Sequence, residues 1–493
     1  MTTTESREGM YIGGSRAKST GSDHLRVISP STEEVFATVA SATLEDVDAA
    51  VSSARTAFDS GPWSQWSIEE RLEVFERFRD LYAARRDDLA DLITHEMGSP
   101  ITLSRANQAT TPLLMLESYM DIAREYPFEE LRQGGGGNAL VTREPVGVVA
   151  AVVPWNVPQV AAMQKVAPAL LAGCTVILKP APETPLDAFE MADMFSAAGL
   201  PDGVFNIVTA DREASEHLVS HPGVDKVTFT GSTAAGRRIA SICGNDLRRV
   251  TLELGGKSAA IILDDADLPA AVEALRLGSF RNTGQICSLK TRVVVPRRQV
   301  EEVVDRLVGL VESMPVGDPF DEGTQIGPLA GERHRERVES LIAAGRDEGA
   351  LVAYGGGRPP GLDRGWFVEP TIFTGVEPGM RIAQEEVFGP VLAVLAYDSL
   401  DDAIDIANDS AYGLSGAVFS ADVSRGLQVA RRIRTGTVEI NGSPVGLLAP
   451  VGGFKDSGIG REAGREGFEA YLETKSLGLP PAHADALRIA SEA

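Results

Sequence analysis

Cys287 lies in Asn282-Thr-Gly-Gln-Ile-Cys-Ser288 and is one of only three cysteines in 493 residues. Gly284 and the small or polar neighbours predict a loop whose backbone approaches a ligand closely. A thiol there is a candidate nucleophile, although a free cysteine is more often a small core residue. Asn156 lies in Val152-Val-Pro-Trp-Asn-Val-Pro158, held between two prolines at a strand end. A rigid amide in that place can donate to a developing oxyanion. Glu253 lies in Thr251-Leu-Glu-Leu-Gly-Gly-Lys257, between two leucines. Apolar surroundings raise a carboxylate pKa and suit it to general-base work near neutrality. Each residue also has a plain structural reading: a turn asparagine, a surface glutamate on an alternating strand.

Other segments add binding chemistry. In Lys226-Val-Thr-Phe-Thr-Gly-Ser-Thr-Ala-Ala-Gly236 a strand runs into Gly231 and a helix starts near Ser232. Free N–H groups at such a start attract phosphate. The spacing lacks the first part of the dinucleotide fingerprint, and Arg237-Arg238 replaces the Lys-Ser/Thr of a Walker loop. Gln384-Glu-Glu-Val-Phe-Gly-Pro390 places two carboxylates before a Phe and a Gly-Pro turn. Lys179 ends a strand before Pro180 and is placed to reach a ligand over the sheet edge. Cys174 and Cys243 are explained by packing. His217 and His221 are spaced i, i+4, but Pro222 biases His221 away from helix, so the pair is not expected to share a face or hold a metal.

These residues need a frame. Thr43-Leu-Glu-Asp46 reads as a helix start, and a second helix is predicted from Ile68 to about Glu96. From Val146 onward, strands at Val146–Val153, Thr175–Leu178, Val204–Val208 and Lys226–Phe229 alternate with helices at Asp187–Ala198 and Ala234–Ile242. A second set follows from Ser258, with strands at Ala259–Leu263, Thr291–Val295, Val391–Ala396 and Ala417–Ser420. Its helices are Glu301–Met314, Glu332–Glu348 and Leu400–Asn408. The alternation predicts two α/β units with parallel sheets, joined near Gly255-Gly256. Gln133–Asn138 reads as a hairpin tip, and the tail from Leu477, with Pro480-Pro481, docks or frays.

Composition narrows the classes. Hydrophobic content of 43% with 24% charged residues fits a soluble globular protein of two or three domains. A net charge of −24 argues against nucleic-acid or anionic-membrane partners. No secretory signal or membrane-length apolar run is visible, so the cytosol is expected.

Taken together, Pro-Trp-Asn-Val-Pro, Phe-Thr-Gly-Ser-Thr, Leu-Glu-Leu-Gly-Gly-Lys, Gly-Gln-Ile-Cys and Glu-Glu-Val-Phe-Gly-Pro resemble, in order and separation, the NAD(P)-dependent aldehyde dehydrogenase superfamily. Asn441-Gly and Gly453-Phe-Lys-Asp-Ser-Gly-Ile-Gly-Arg461 fit its closing segment. The resemblance implies oxidation of an aldehyde through a Cys287 thiohemiacetal and thioester. Asn156 and the Cys287 N–H would hold the oxyanion, Glu253 would activate the hydrolytic water, and Lys165 would assist proton movement. Gly231 and Ser232 would receive the pyrophosphate, Lys179 the adenine ribose and Glu386 the nicotinamide ribose. Phe388, Trp155 and Leu254 would line the cofactor cleft.

The implied fold is a Rossmann-like dinucleotide-binding domain (1–122 and 146–255), an α/β catalytic domain (256–465) and a small β bridging region (123–145 and 466–493). The last would pair subunits into a homodimer or homotetramer. One departure concerns the cofactor. Pro182, in Lys179-Pro-Ala-Pro-Glu-Thr, replaces a glutamate that binds the adenine-ribose hydroxyls in NAD-preferring members, so NAD use with tolerance of NADP is expected. Val157, Gln164, Pro450 and Val451 imply a wider, less aromatic aldehyde channel. No basic residue is assigned to a second carboxylate, so a semialdehyde is not favoured. The alternatives are a CoA-acylating relative, disfavoured by Glu253, and a cofactor-binding protein that has lost catalysis, disfavoured by the intact Cys287, Glu253 and Asn156.

Overall fold

The structure, a computed structural model, describes residues 5–7 and 9–492. Part of the N-terminal stretch read for a leader, and Ala493, lie outside them. The first large sheet has eight strands in the order Gly458–Ile459, Arg249–Glu253, Lys226–Thr230, Val148–Val152, Thr175–Lys179, Phe205–Ile207, Gly9–Ile12, Ser15–Lys18. The five strands from Arg249–Glu253 to Phe205–Ile207 run parallel. The added edge strands are antiparallel. Val148–Val152 and Thr175–Lys179 are buried at every position, as expected of strands covered on both faces. From Val148–Val152 the chain builds outward through Thr175–Lys179 and Phe205–Ile207. It then returns to add Lys226–Thr230 and Arg249–Glu253 on the other side. The order therefore reverses beside Val148–Val152, where open α/β sheets leave a ligand crevice beyond the strand ends.

Helices cover both faces. Leu44–Asp59 starts with a capping box, in which Thr43 Oγ1 accepts from the Asp46 N–H and Asp46 accepts from the Thr43 N–H. Its buried face packs with Met10, Val148 and Val227. The opposite face buries an aromatic cluster in which Phe78 stacks on Phe195 with centroids 3.9 Å apart.

The second large sheet runs Leu351–Tyr354, Thr371–Thr374, Val391–Tyr397, Lys290–Pro296, Ser258–Ile262, Gly416–Phe419, Glu439–Ile440. All its pairs are parallel except Leu351–Tyr354 with Thr371–Thr374. A three-stranded antiparallel sheet joins Glu129–Gly134, Gly137–Pro145 and Leu472–Leu479. The expected hairpin tip is thus present, and the tail docks: its Pro481–Glu492 helix follows that sheet, with Ala484 buried.

The structure corrects three expectations. The helix expected over Ile68–Glu96 is two helices, Ile68–Ala84 and Arg86–Met97. Arg85 leaves helical geometry at φ −108°, ψ 10°, and its N–H closes a tight turn on Tyr82. The apolar period continues across the break, so nothing in the spacing marks it. Gly458–Ile459, inside the span read as catalytic domain, pairs with Leu252–Glu253 of the first sheet. His221 does leave the helix, with ψ 130°, yet its ring and that of His217 both reach Asp48, at 3.4 and 2.6 Å. The Gly223 N–H donates to His221 Nδ1 at 3.0 Å, so Nε2 carries the hydrogen and His221 offers the cluster no lone pair.

Candidate active site

The carboxyl ends of the first sheet meet the amino ends of the second, and the predicted residues gather there. Cys287, half-buried, follows the turn Arg281–Gly284. Asn282, Thr283 and Gly284 all take left-handed conformations, with φ 56°, 57° and 75°. Two successive non-glycine residues in that region carry strain, typical of functional turns. A Cβ on Gly284 would stand 2.1 Å from the Gly389 carbonyl, and one on Gly256 would stand 2.5 Å from the Cys287 carbonyl. These glycines let three loops close on the thiol.

Hydrogen bonds fix the turn. Asn156, buried after the Val148–Val152 strand, donates from Nδ2 to the Gln285 carbonyl at 2.8 Å. Its own carbonyl accepts from Asn282 Nδ2 at 2.9 Å and Gln108 Nε2 at 3.0 Å. One hydrogen of the Asn156 amide is thus committed to the loop. Sequence reasoning did not single out Asn282 or Gln108.

Glu253 ends the Arg249–Glu253 strand and is buried, not on a surface face. Its Oε1 has no hydrogen-bond partner. Burial first, then the negative charge of Glu462, hold its carboxyl well above the usual range, against Lys165 and Arg461. Lys165 is fully buried and bonds Thr230 Oγ1 and Glu462 Oε1, each at 2.6 Å. Glu462, which sequence reasoning missed, lies three residues beyond the edge strand that pairs with Glu253. Burial pushes the Cys287 thiol up to about 12, and the carboxylates of Glu386 and Glu253 add to the shift. The resting nucleophile is therefore a protonated thiol facing two carboxyl groups.

The remaining residues form a cleft at the switch point. Ser232 caps the Thr233–Asn245 helix, accepting from the Ala235 N–H at 3.3 Å, so the helix start at Gly231–Ser232 lies beyond the Lys226–Thr230 strand. A Cβ on Gly236 would stand 2.5 Å from Leu254, so glycine lets this helix sit close to the sheet. The Leu254 N–H donates to the Ser457 carbonyl at 2.9 Å. Lys179 is buried at its strand end, and burial lowers its amine to about 8, opposed by Glu183 and Asp211. Glu386 Oε1 accepts the Gly256 N–H at 2.9 Å, and burial raises its carboxyl to about 7. Phe388, at φ 61°, packs edge-on to Trp155 at 5.5 Å, and its carbonyl accepts from His334 Nε2 at 2.7 Å. Arg337, one turn along the same helix, donates to the Glu386 carbonyl at 2.8 Å. The helix start, the close-packing glycine and the two strand-end groups fit a dinucleotide.

A thiol, an amide donor and a buried carboxyl beside a dinucleotide crevice define an oxidoreductase acting through a covalent sulfur adduct. The chain belongs to the aldehyde dehydrogenase family, whose description matches residues 17–477. It is 45% identical over 469 residues to a geranial dehydrogenase of Castellaniella defragrans, covering 95% of this chain and 98% of that one. It is 44% identical over 470 residues to a 3-succinoylsemialdehyde-pyridine dehydrogenase of a Pseudomonas species, covering 95% and 97%. Among solved structures, a Mycobacterium tuberculosis aldehyde dehydrogenase complexed with NAD+ superimposes with TM-score 0.95 at 45% identity, covering 97% and 99%. A cysteine-to-alanine mutant of Pseudomonas syringae aldehyde dehydrogenase C, with NAD+ and octanal, gives 0.93 at 42% identity, covering 95% and 96%.

Proposed function

We propose that this NAD-dependent aldehyde dehydrogenase oxidises an aldehyde to its acid through Cys287, with hydrolysis by water activated at Glu253. The observation that carries the reading is the convergence on the Cys287 loop of Asn156, bonded two residues before the thiol, and the carboxyls of Glu253 and Glu386. The thiol gives its proton to Glu253, and its sulfur bonds the aldehyde carbon. The carbonyl electron pair moves to oxygen, where the second Asn156 amide hydrogen and the Cys287 N–H receive it. Bound NAD+ supplies the two-electron acceptor that takes hydride from that carbon. Glu253 then removes a proton from water, which attacks the resulting thioester. The carbon–sulfur bond breaks, and the acid leaves. Lys165 and Glu462 provide a buried, polar outlet for the proton collected at Glu253.

Gly231 and Ser232 would hold the pyrophosphate, Lys179 the adenine ribose and Glu386 the nicotinamide ribose, with Trp155, Leu254 and Phe388 as cleft walls. Pro182 offers no side-chain acceptor, so NADP is tolerated. A kcat/KM ratio for NAD over NADP above about a thousandfold would refute that tolerance.

The two large sheets correspond to cofactor and catalytic domains, and the sheet of Glu129–Gly134, Gly137–Pro145 and Leu472–Leu479 to the subunit bridge. A single-subunit mass by light scattering would refute the bridge. A free nucleophilic thiol suits the reducing cytosol. No helix among the described residues is long and apolar enough to cross a membrane.

The test is NADH formation from an aldehyde panel, with and without CoA. Cys287→Ala is expected to lose about four orders of magnitude in kcat/KM. Activity surviving that change refutes the mechanism, and a strict CoA requirement supports the acylating alternative.

A further inference from the structure

A cavity of about 450 Å³ lies between the segment holding Leu103 and Ala106 and the start of the catalytic turn at Phe280, Arg281 and Asn282. Both walls are tied to Asn156: Gln108 follows one and Asn282 belongs to the other, and each donates to the Asn156 carbonyl. The cavity therefore abuts the oxyanion residue. Its size is that of a pocket for a medium-sized ligand. Leu103, Ala106, Leu277, Phe280 and Met314 make most of its lining apolar.

Two arginines also face the cavity, and they differ. Arg276 is saturated by Glu273 at 2.6 Å, Gln325 at 3.0 Å and Ser313 at 3.1 Å. Arg281 is half-buried, its Nε is sealed from solvent without a hydrogen-bond partner, and no carboxylate among the described residues is within ion-pair distance of it. The nearest acidic influence is Glu439, which is already paired with Lys290 at 2.6 Å. Two cations thus share one carboxylate, leaving a positive charge at the wall of an apolar cavity. A partly buried guanidinium without a partner is costly unless an anion completes it.

We propose that this cavity takes the tail of the substrate and that Arg281 binds a carboxylate on it, making the substrate class an apolar-chain aldehyde with a distal carboxylate. The inference rests on the reading of Cys287 as the aldehyde-oxidising nucleophile. It departs from the sequence expectation, in which no basic residue could be assigned to a second carboxylate. The cavity is larger than a four-carbon semialdehyde needs, which favours a longer chain. The uncharged aldehydes named for the Castellaniella relative and bound in the Pseudomonas syringae structure mark the competing outcome.

The experiment compares kcat/KM for azelaic semialdehyde and nonanal, which share chain length and differ in the terminal carboxylate. The ratio within one enzyme preparation does not depend on the fraction folded. The wild type is expected to favour the carboxylate by about 30-fold, Arg281→Gln to bring the ratio near unity mainly through KM, and Arg281→Lys to restore part of it. A wild-type ratio at or below one, or a ratio unmoved in Arg281→Gln, overturns the carboxylate site while nonanal turnover upholds the oxidation reading. Turnover of neither aldehyde overturns both.

Discussion

The two large sheets share an architecture but expose opposite ends to chemistry. The first works from its carboxyl ends: Val148–Val152 leads to Asn156, Thr175–Lys179 ends on Lys179, Lys226–Thr230 leads to Gly231, and Arg249–Glu253 ends on Glu253. The second works from its amino ends, where Cys287 precedes Lys290–Pro296 and Glu386 and Phe388 precede Val391–Tyr397. Its own carboxyl ends gather charges that satisfy one another. Arg297 pairs with Asp398 at 2.7 Å, and Arg425 pairs with Asp264 at 2.7 Å and Asp265 at 3.0 Å. Glu253 Oε1, at the working edge, has no hydrogen-bond partner. Mutually paired surface charge leaves nothing for a ligand to complete. Buried groups with spare bonding capacity do.

The sharpest way to break this comparison is at Glu253. Glu253→Gln removes the base and leaves the shape, so steady-state turnover should fall about 10²–10³-fold while a burst of NADH, about one per site, persists. Loss of the burst together with turnover would place Glu253 before the thioester. Next in size is the buried pair behind it. Glu462→Ala strands the fully buried Lys165 charge, and chemical denaturation should show a loss of about 3–5 kcal/mol. A loss under about 1 kcal/mol would mean that the pair is not sealed from water.

A smaller effect is expected at Glu386, whose carboxyl titrates near about 7. Only the ionised form accepts two ribose hydroxyls, so the KM for NAD should fall several-fold between about pH 6 and pH 8 and flatten in Glu386→Gln. Stability runs the other way. The folded state holds this proton more tightly than the unfolded chain, so the contribution of Glu386 is full below the ordinary glutamate pKa and is lost as pH rises to about 7. The smallest effect belongs to the idle edge: Arg297→Ala should change kcat/KM by less than about twofold. A larger change would show that this end communicates with the site.

The working edges were legible in the sequence because proline or glycine bounds each loop. Pro154 and Pro158 frame Asn156, Gly255-Gly256 follows Glu253, and Gly389-Pro390 follows Phe388. Such residues fix backbone direction locally, so side-chain placement follows from short stretches. Glu462 and Arg281 were not legible. The Lys165–Glu462 bond spans 297 positions and exists only because Gly458–Ile459 pairs with the strand that ends at Glu253. Arg281 stands in the segment that drew attention to Cys287, but its lack of a partner is a property of the folded surroundings. The break at Arg85 was hidden for the opposite reason, because an uninterrupted apolar period passes through it. His217 and His221 meet at Asp48 although one of them has left the helix, since side-chain reach outlasts helical register.

The late edge strand Gly458–Ile459 has a consequence for how the enzyme comes into being. Ribosomes release the chain from its N-terminus, and domains fold as they emerge. The strands carrying Asn156, Glu253 and Cys287 are all made before the segment that seals Glu253, pairs with Lys165 and accepts the Leu254 N–H. Leu472–Leu479, which closes on Asn138–Pro145, comes later still. A nascent chain therefore carries its thiol and its base before it can bury the charges that tune them, and catalytic competence is reached only near the end of translation.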